Sequence, residues 1–214
     1  MNIIDIPSST RRNPKTKDFV ETVNHHYSVM NRLRSEDTLS PKAFFITVTF
    51  NDLPEETREY RETKNLLKKK FYEPEDVIKI TSRRQRDFIK YVKNQTVPSN
   101  YYPSRKKNLP VFFSFIDLSG SRFSKSNFLK MPHTHSLCLV PPKTVPKFDA
   151  LIADDFRISR DRPKTKDIQT TDCKPVEFDG NNIYNVLDYS SKYYRYCCNN
   201  NMFSEDTRSL LFDM

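Results

Sequence analysis

Ten residues in the middle of the chain, Met131-Pro-His-Thr-His-Ser-Leu-Cys-Leu-Val140, constrain its fold more than any other stretch. Leu137 and Leu139 continue the two-residue period begun by His133 and His135, and that is the period of a β-strand. On a strand both imidazoles face the same way from a rigid platform. Two neutral imidazole nitrogens so placed can bind one divalent cation. Two polar residues on a solvated strand face would show the same spacing, so the pair gains meaning only from its neighbours.

Two other runs can pair with this strand. Residues 42–50, Lys-Ala-Phe-Phe-Ile-Thr-Val-Thr-Phe, are β-branched and aromatic and read as a central strand, ended by Asn51-Asp52-Leu53-Pro54. Val111 to Leu118 reads as another, joined to the histidine strand by a polar connection that carries Arg122, Lys125 and Lys130. Two strands so joined pair most simply as antiparallel neighbours. Helical periodicity marks about 17–35, with Phe19, Val20, Val23, Tyr27, Met30 and Leu33 inward, about 82–94, with Phe88, Ile89 and Val92 inward, and about 182–198. The densely charged segment 55–72 reads as helical or mobile, and 95–110, with three prolines and Arg105-Lys106-Lys107, as a loop. The span 143–182 is mixed, with strand-like pieces near 155–159 and 167–171. The expected fold is α/β, more narrowly α+β: a central antiparallel sheet flanked by helices. It would occupy 41–200, after a basic arm and helix over 1–40 and before a tail over 201–214.

Charge indicates the kind of partner. The 214 residues hold 36 Lys+Arg against 27 Asp+Glu, a net charge of +9. Such a balance favours polyanions, nucleic acid first and acidic membranes second, although a merely basic soluble protein would share it. Only Gly120 and Gly180 occur, which excludes a Walker-type phosphate loop, so no nucleotide cofactor is expected. No apolar run approaches the ~18 residues of a membrane span, and the N-terminus lacks the basic and apolar regions of a signal peptide. A cytoplasmic protein without a membrane partner is therefore expected. Cys138, Cys173, Cys197 and Cys198 then read as reduced thiols, and none has the C-x₂-C spacing of a zinc ribbon.

Chemistry-bearing residues gather around the histidine strand. Asp117 ends the row Val111, Phe113 and Phe115 on one strand face, where an acid is either a turn-side cap or a third metal ligand. Two imidazoles and a carboxylate with open positions suit Mn²⁺ or Mg²⁺ better than a closed structural zinc site, and Mn²⁺ tolerates imidazole better. On the last helix, Ile183, Val186, Leu187, Ser190, Tyr194 and Cys197 form a core stripe. Asn185, Tyr189, Lys192, Tyr193 and Tyr196 form a second stripe. A tyrosine can attack a phosphodiester once its phenol loses its proton, which a positive neighbour favours. Lys192, a turn beyond Tyr189, supplies that charge, though ordinary packing would also account for the pair. His25 and His26 are helix neighbours that do not face one target and read as surface or packing residues.

Together these segments resemble the HUH endonuclease superfamily, specifically its rolling-circle replication initiators. Phe44-Phe45-Ile46-Thr47-Val48-Thr49-Phe50 looks like the family's first motif, a hydrophobic strand with alternating Thr. Pro132-His133-Thr134-His135-Ser136-Leu137 is similar to the His-hydrophobe-His motif, with Thr134 a weak hydrophobe at the middle position. Tyr189-Ser190-Ser191-Lys192 matches the third motif, Tyr-x-x-Lys on a helix. The order, tyrosine after histidines, is that of initiators and related transposases and the reverse of conjugative relaxases. The likeness spans about residues 42–198.

The resemblance implies that Tyr189 cuts one DNA strand, keeps the 5′ phosphate as a phosphotyrosine and frees a 3′-OH, after which a second transesterification rejoins the strand. Asp117 takes the place of the acidic third ligand found in many members. Some phage-type initiators carry Tyr-x-x-Lys-Tyr-x-x-Lys and alternate two nucleophiles. Here Tyr193 stands at the second tyrosine and Tyr196 at the second lysine, so Tyr193 is either a second nucleophile or a DNA-stacking residue. Single-stranded or hairpin origin DNA would be the substrate, held by phosphate contacts from Arg105, Lys106, Lys107, Arg122, Lys125 and Lys130. Duplex unwinding would come from a separate helicase or from supercoiling, and a separate polymerase would act with the protein, which would work in a bacterial or archaeal cell and be encoded by the host, a plasmid or a phage. The alternatives are an HUH-type transposase and a non-catalytic DNA-binding regulator on the same fold.

Overall fold

The computed structural model describes residues 14–32, 40–51, 74–97, 108–117, 132–156, 167–199, 204–210 and 212–213. Five strands make one sheet: β1 (Lys42–Phe50), β2 (Val111–Asp117), β3 (His133–Val140), β4 (Ile168–Val176) and the two-residue β5 (Phe212–Asp213). Their order is β4-β1-β3-β2-β5, and every neighbouring pair is antiparallel. The helices are α1 (Pro14–Arg32), α2 (Pro74–Thr96), α3 (Val145–Ala153), α4 (Gly180–Ser190), α5 (Lys192–Asn199) and α6 (Glu205–Ser209). The fold is α+β, with β3 central and helices on both faces of the sheet.

The two-residue period of the strands decides which helix meets which face. Phe44, Ile46, Val48 and Phe50 of β1, Phe112 of β2 and Cys138 and Val140 of β3 pack on Phe88, Ile89 and Val92 of α2 and Val145 and Phe148 of α3. The alternate residues Ala43, Phe113, Phe115, Leu137 and Leu139 pack on Val20, Val23 and Met30 of α1 and Ile183 and Leu187 of α4. Burying each Val, Leu, Ile, Phe or Met among them contributes about 1.5–3 kcal/mol, so both layers are firmly held. A smaller cluster of Val77 and Ile78 from α2, Ile116 from β2, and Tyr193 and Cys197 from α5 joins α5 to the end of the sheet. Helix α1 thus shares a core with β2 and β3, and the tail pairs through Phe212 with Phe115.

Several elements differ from the sequence expectation. Helix α2 starts at Pro74, not near 82: Pro74, Glu75 and Asp76 make a first turn suited to the helix dipole. Residues 145–153 are helical within a span expected to be mixed, with Pro146 at the N-terminus where its missing N–H is no loss. At 154–156 the chain turns instead of extending, with positive φ at Asp155 and Phe156. Phe156 is held there by Phe88 and Phe148, at ring separations of 5.7 and 6.0 Å. Strand β4 runs on to Val176 and tolerates Pro175 because it is an edge strand among the described residues. The segment 55–72, most of the loop 95–110 and residues 157–159 lie outside the described residues.

The largest departure concerns the last helix. The expected continuous helix over 182–198 is two helices that break at Ser191. Ser190 Oγ donates to the Val186 carbonyl at 2.6 Å, a side-chain bond that competes with regular helix geometry. Arg195 then reaches back across the break, donating to Asp188 Oδ1 at 2.6 Å and to the Asp188 carbonyl at 2.7 Å. Thr16 of α1 donates to the same carboxylate at 3.2 Å, which ties the break to α1. Asp179 caps the start of α4 by accepting from the backbone N–H groups of Asn181 and Asn182 at 2.9 Å. Among the described residues no helix is long and apolar enough to cross a membrane.

Candidate metal centre and the neighbouring tyrosine

The ladder between β2 and β3 sets Asp117 directly opposite His133, and His135 lies two residues along on the same face, opposite Phe115. Strand geometry alone therefore brings the three side chains together. Their candidate ligand atoms all lie within 4.8 Å of one another. Asp117 Oδ2 is 3.7 Å from His133 Nε2 and 3.8 Å from His135 Nε2, and the two rings meet edge to face at 4.9 Å. Atoms bound at about 2.1 Å to one octahedral or tetrahedral ion stand about 3.0–3.4 Å apart, so a modest contraction would close the group on a cation. Asp117, His133 and His135 form the one such cluster of His, Cys, Asp or Glu among the described residues.

His135 fits a ligand role on a separate ground. Its Nε2 is buried, makes no hydrogen bond and faces the carboxylate. A buried polar nitrogen left so is costly unless something else engages it. Its other nitrogen, Nδ1, lies 3.1 Å from Thr47 Oγ1, directly across the β1–β3 ladder. With Nδ1–H donating to that hydroxyl, the Nε2 lone pair points at Asp117, the arrangement by which a hydrogen bond orients a metal-binding histidine. Burial, the adjacent His133 and the Lys192 ammonium together push the His135 pKa from 6.5 down to about 4. The imidazole is therefore neutral at physiological pH, as a ligand must be.

Helix α4 carries Tyr189 to the rim of this cluster. The ring is 52% exposed, although the same helix buries Ile183 and Leu187. Its centroid lies 5.0 Å from that of His135 and 6.2 Å from that of Phe45, edge-on to both. Lys192, just past the helix break, sets its ammonium 5.1 Å from the Tyr189 ring centroid. Phe45 completes the wall by stacking on His135 at 5.6 Å with rings 20° apart. An exposed phenol, a lysine ammonium and a potential cation site thus share one surface, a set suited to an anionic electrophile such as a phosphate ester.

The structure separates the two candidate tyrosines. Tyr193 was expected on the same face as Tyr189, but it lies beyond the break at Ser191 and points inward, where it is 3% exposed among Val77, Ile78, Ile116 and Cys197. As placed, it is neither a nucleophile nor a stacking platform. The other anticipated DNA contacts, Arg105, Lys106, Lys107, Arg122, Lys125 and Lys130, lie outside the described residues. All four cysteines are free thiols. Burial raises Cys138 well above the usual thiol range and pushes Cys173 to about 12 and Cys197 to about 11, which leaves them protonated.

No protein-family model, curated protein or solved structure matches the chain. Two members of the site escaped the sequence reading, Thr47 and Phe45. Their signal was the apolar and Thr alternation of 44–50, but only the register with β3 assigns them to His135.

Proposed function

We propose that the protein nicks and rejoins single-stranded DNA through a 5′-phosphotyrosine, with Tyr189 as nucleophile and a divalent cation, Mn²⁺ or Mg²⁺, held by Asp117, His133 and His135. The observation that carries this reading is the exposed Tyr189 ring edge-on to His135 and beside the Lys192 ammonium. It joins to that geometry the sequence resemblance to rolling-circle initiators. The cation, when bound, would draw charge from the non-bridging phosphate oxygens. Tyr189 Oη would attack phosphorus, forming the O–P bond as the bond to the 3′ oxygen breaks. The phenolic proton is lost and the departing 3′ oxygen gains one. Lys192 would stabilise negative charge on the attacking and phosphoryl oxygens. Reversal by a 3′-OH rejoins the strand. Initiation of replication of a plasmid, phage or other mobile element is the role that suits this chemistry, with helicase and polymerase supplied separately.

The test uses a randomised pool of 3′-labelled single-stranded DNA with Mn²⁺. A labelled band that survives denaturant is expected from the wild type and from Tyr193→Phe, and no such band from Tyr189→Phe. Tight DNA binding without any adduct would replace this reading with the regulator. Joining of unrelated DNA molecules at hairpin ends would favour the transposase.

A further inference from the structure

On the side of the sheet away from the metal cluster, four buried polar residues between α2 and the sheet form one hydrogen-bonded group. Gln85 of α2, Ser114 of β2, and Thr134 and Ser136 of β3 are each at most 2% exposed. They satisfy one another. Gln85 Nε2 donates to Ser114 Oγ at 3.2 Å and to Ser136 Oγ at 3.1 Å, while Gln85 Oε1 accepts from Thr134 Oγ1 at 2.5 Å. Ser114 and Ser136 face each other across the ladder with hydroxyls 2.8 Å apart. Thr134 and Ser136 are the residues that alternate with His133 and His135, so one strand carries the cluster on one face and this network on the other.

The apolar residues of β2 and β3 do not by themselves select the observed register. Sliding β2 by two residues keeps every side chain on its own face. It would set Phe113 against Leu139 and Phe115 against Leu137, apolar pairs as good as the native Phe113–Leu137 pair. The connection between the strands is too long to dictate register as a two-residue hairpin turn does. What the slip would destroy is the polar match: Ser114 would face Cys138, and Ser136 would face Ile116. It would equally move Asp117 from opposite His133 to opposite His135. The opposite slip would set Phe113 against His135 and Phe115 against His133, so the apolar pairs already disfavour it; a buried hydrogen-bonded group that fails in the remaining slip is a recognised device for fixing register.

We infer that Gln85, with Ser114, Thr134 and Ser136, is a positioning network that locks the β2–β3 register and so holds Asp117 opposite His133. This register role stands on the ladder itself, and its bearing on function rests on the metal reading of the cluster. Gln85 touches neither substrate nor cation in this role. It also accounts for Thr134 at a position where an apolar residue would otherwise pack.

The variant that tests this replaces the whole network by apolar groups, Gln85→Leu with Ser114→Ala, Thr134→Val and Ser136→Ala, since removing all partners together leaves no buried group unsatisfied. In metal-free protein the expected result is an unfolding midpoint at or above that of the wild type, with two sets of β2–β3 cross-strand proton NOEs where the wild type has one. Mn²⁺ should then collapse the two sets to the native one, and its apparent affinity should fall in proportion to the native fraction. A single native set of NOEs in the folded variant overturns the inference. Should the fourfold variant fail to fold, Ser114→Ala with Ser136→Ala removes the matched pair but keeps the Gln85–Thr134 bond, and the same NOE sets decide. Ser114→Thr, which keeps a hydroxyl, should retain one set. If the apolar variant splits into two registers but even the wild type ignores Mn²⁺, the register role stands and the metal reading fails.

Discussion

Taking the metal-free protein from about pH 7.5 to about pH 5 should remove roughly 2 kcal/mol of folding stability through His135 alone. Burial, then His133, then Lys192 lower its pKa from 6.5 to about 4 in the folded state. Unfolding returns the ring to water and to its ordinary value. Between these limits the unfolded chain binds a proton that the folded chain refuses, so stability rises with pH. The contribution is whole above pH 6.5, declines as pH falls, and is fully lost below about 4. At about 1.36 kcal/mol per unit the complete loss is about 3 kcal/mol, and roughly 2 kcal/mol of it falls above pH 5, before ordinary carboxylates protonate. His135 is only 4% exposed, so solvent does little to screen it. Urea denaturation in the presence of a chelator at several pH values measures the loss directly. His135→Phe keeps an aromatic ring beside Phe45 and removes the titration, while groups remote from the site cancel in the difference between the proteins. The wild type should lose roughly 2 kcal/mol more than His135→Phe over this range. Parallel losses, equal within about 0.5 kcal/mol, would refute the claim that the folded site holds His135 neutral.

Three further outcomes follow from the site geometry. Thr47→Val removes the hydroxyl beside His135 Nδ1 and should weaken Mn²⁺ binding about tenfold in calorimetric titration, with a stability loss of about 1–3 kcal/mol because the buried ring nitrogen loses its partner. Tyr193→Ala should cost about 3 kcal/mol in urea denaturation because it empties a packed site, whereas Tyr189→Phe, at an exposed position, should cost less than about 0.5 kcal/mol. Arg195→Met breaks the bonds that span the helix break and should destabilise the protein by about 1–3 kcal/mol. It should also slow adduct formation about tenfold in single-turnover assays, through misplacement of Tyr189 relative to Lys192.

The sheet was legible in the sequence because its strands are apolar, β-branched and periodic: 42–50, 111–117 and 133–140 emerge within a residue or so of their expected bounds. Pairing of β2 with β3 followed from chain order, and with it the approach of Asp117 to His133. The core stripe of the last helix was legible too, since Ile183, Leu187, Ser190 and Cys197 are all buried. Its break was not. Helical periodicity sums over many residues and is blind to a one-residue interruption such as Ser191, which Arg195 spans by its bonds to Asp188. Helix α3 was hidden for a similar reason, since Pro141, Pro142 and Pro146 read as breakers when one of them begins a helix. Gln85 looked like one more polar residue on a charged helix until tertiary packing set it over Ser114, Thr134 and Ser136.

Under the proposed reading, cation and nucleophile would depend on each other on electrostatic grounds. Asp117 and Lys192 carry opposite charges that offset each other, so without a cation the site has little to draw in a phosphate. A divalent cation between Asp117, His133 and His135 would give the site two net positive charges, facing the side on which Tyr189 is exposed. Phosphate affinity near Tyr189 should therefore depend on the cation, not on Lys192 alone. The depressed His135 pKa points the same way, because a ring that resists protonation down to about pH 4 costs an incoming cation no proton. Thr47 holds that ring from β1, Asp117 comes from β2, both histidines come from β3, and Tyr189 arrives from α4. Small errors in the helix break would then shift the phenol without disturbing the ligands. Loss of metal binding and loss of adduct formation should thus be separable: Arg195→Met should impair the adduct and spare Mn²⁺ affinity, whereas Thr47→Val should impair both.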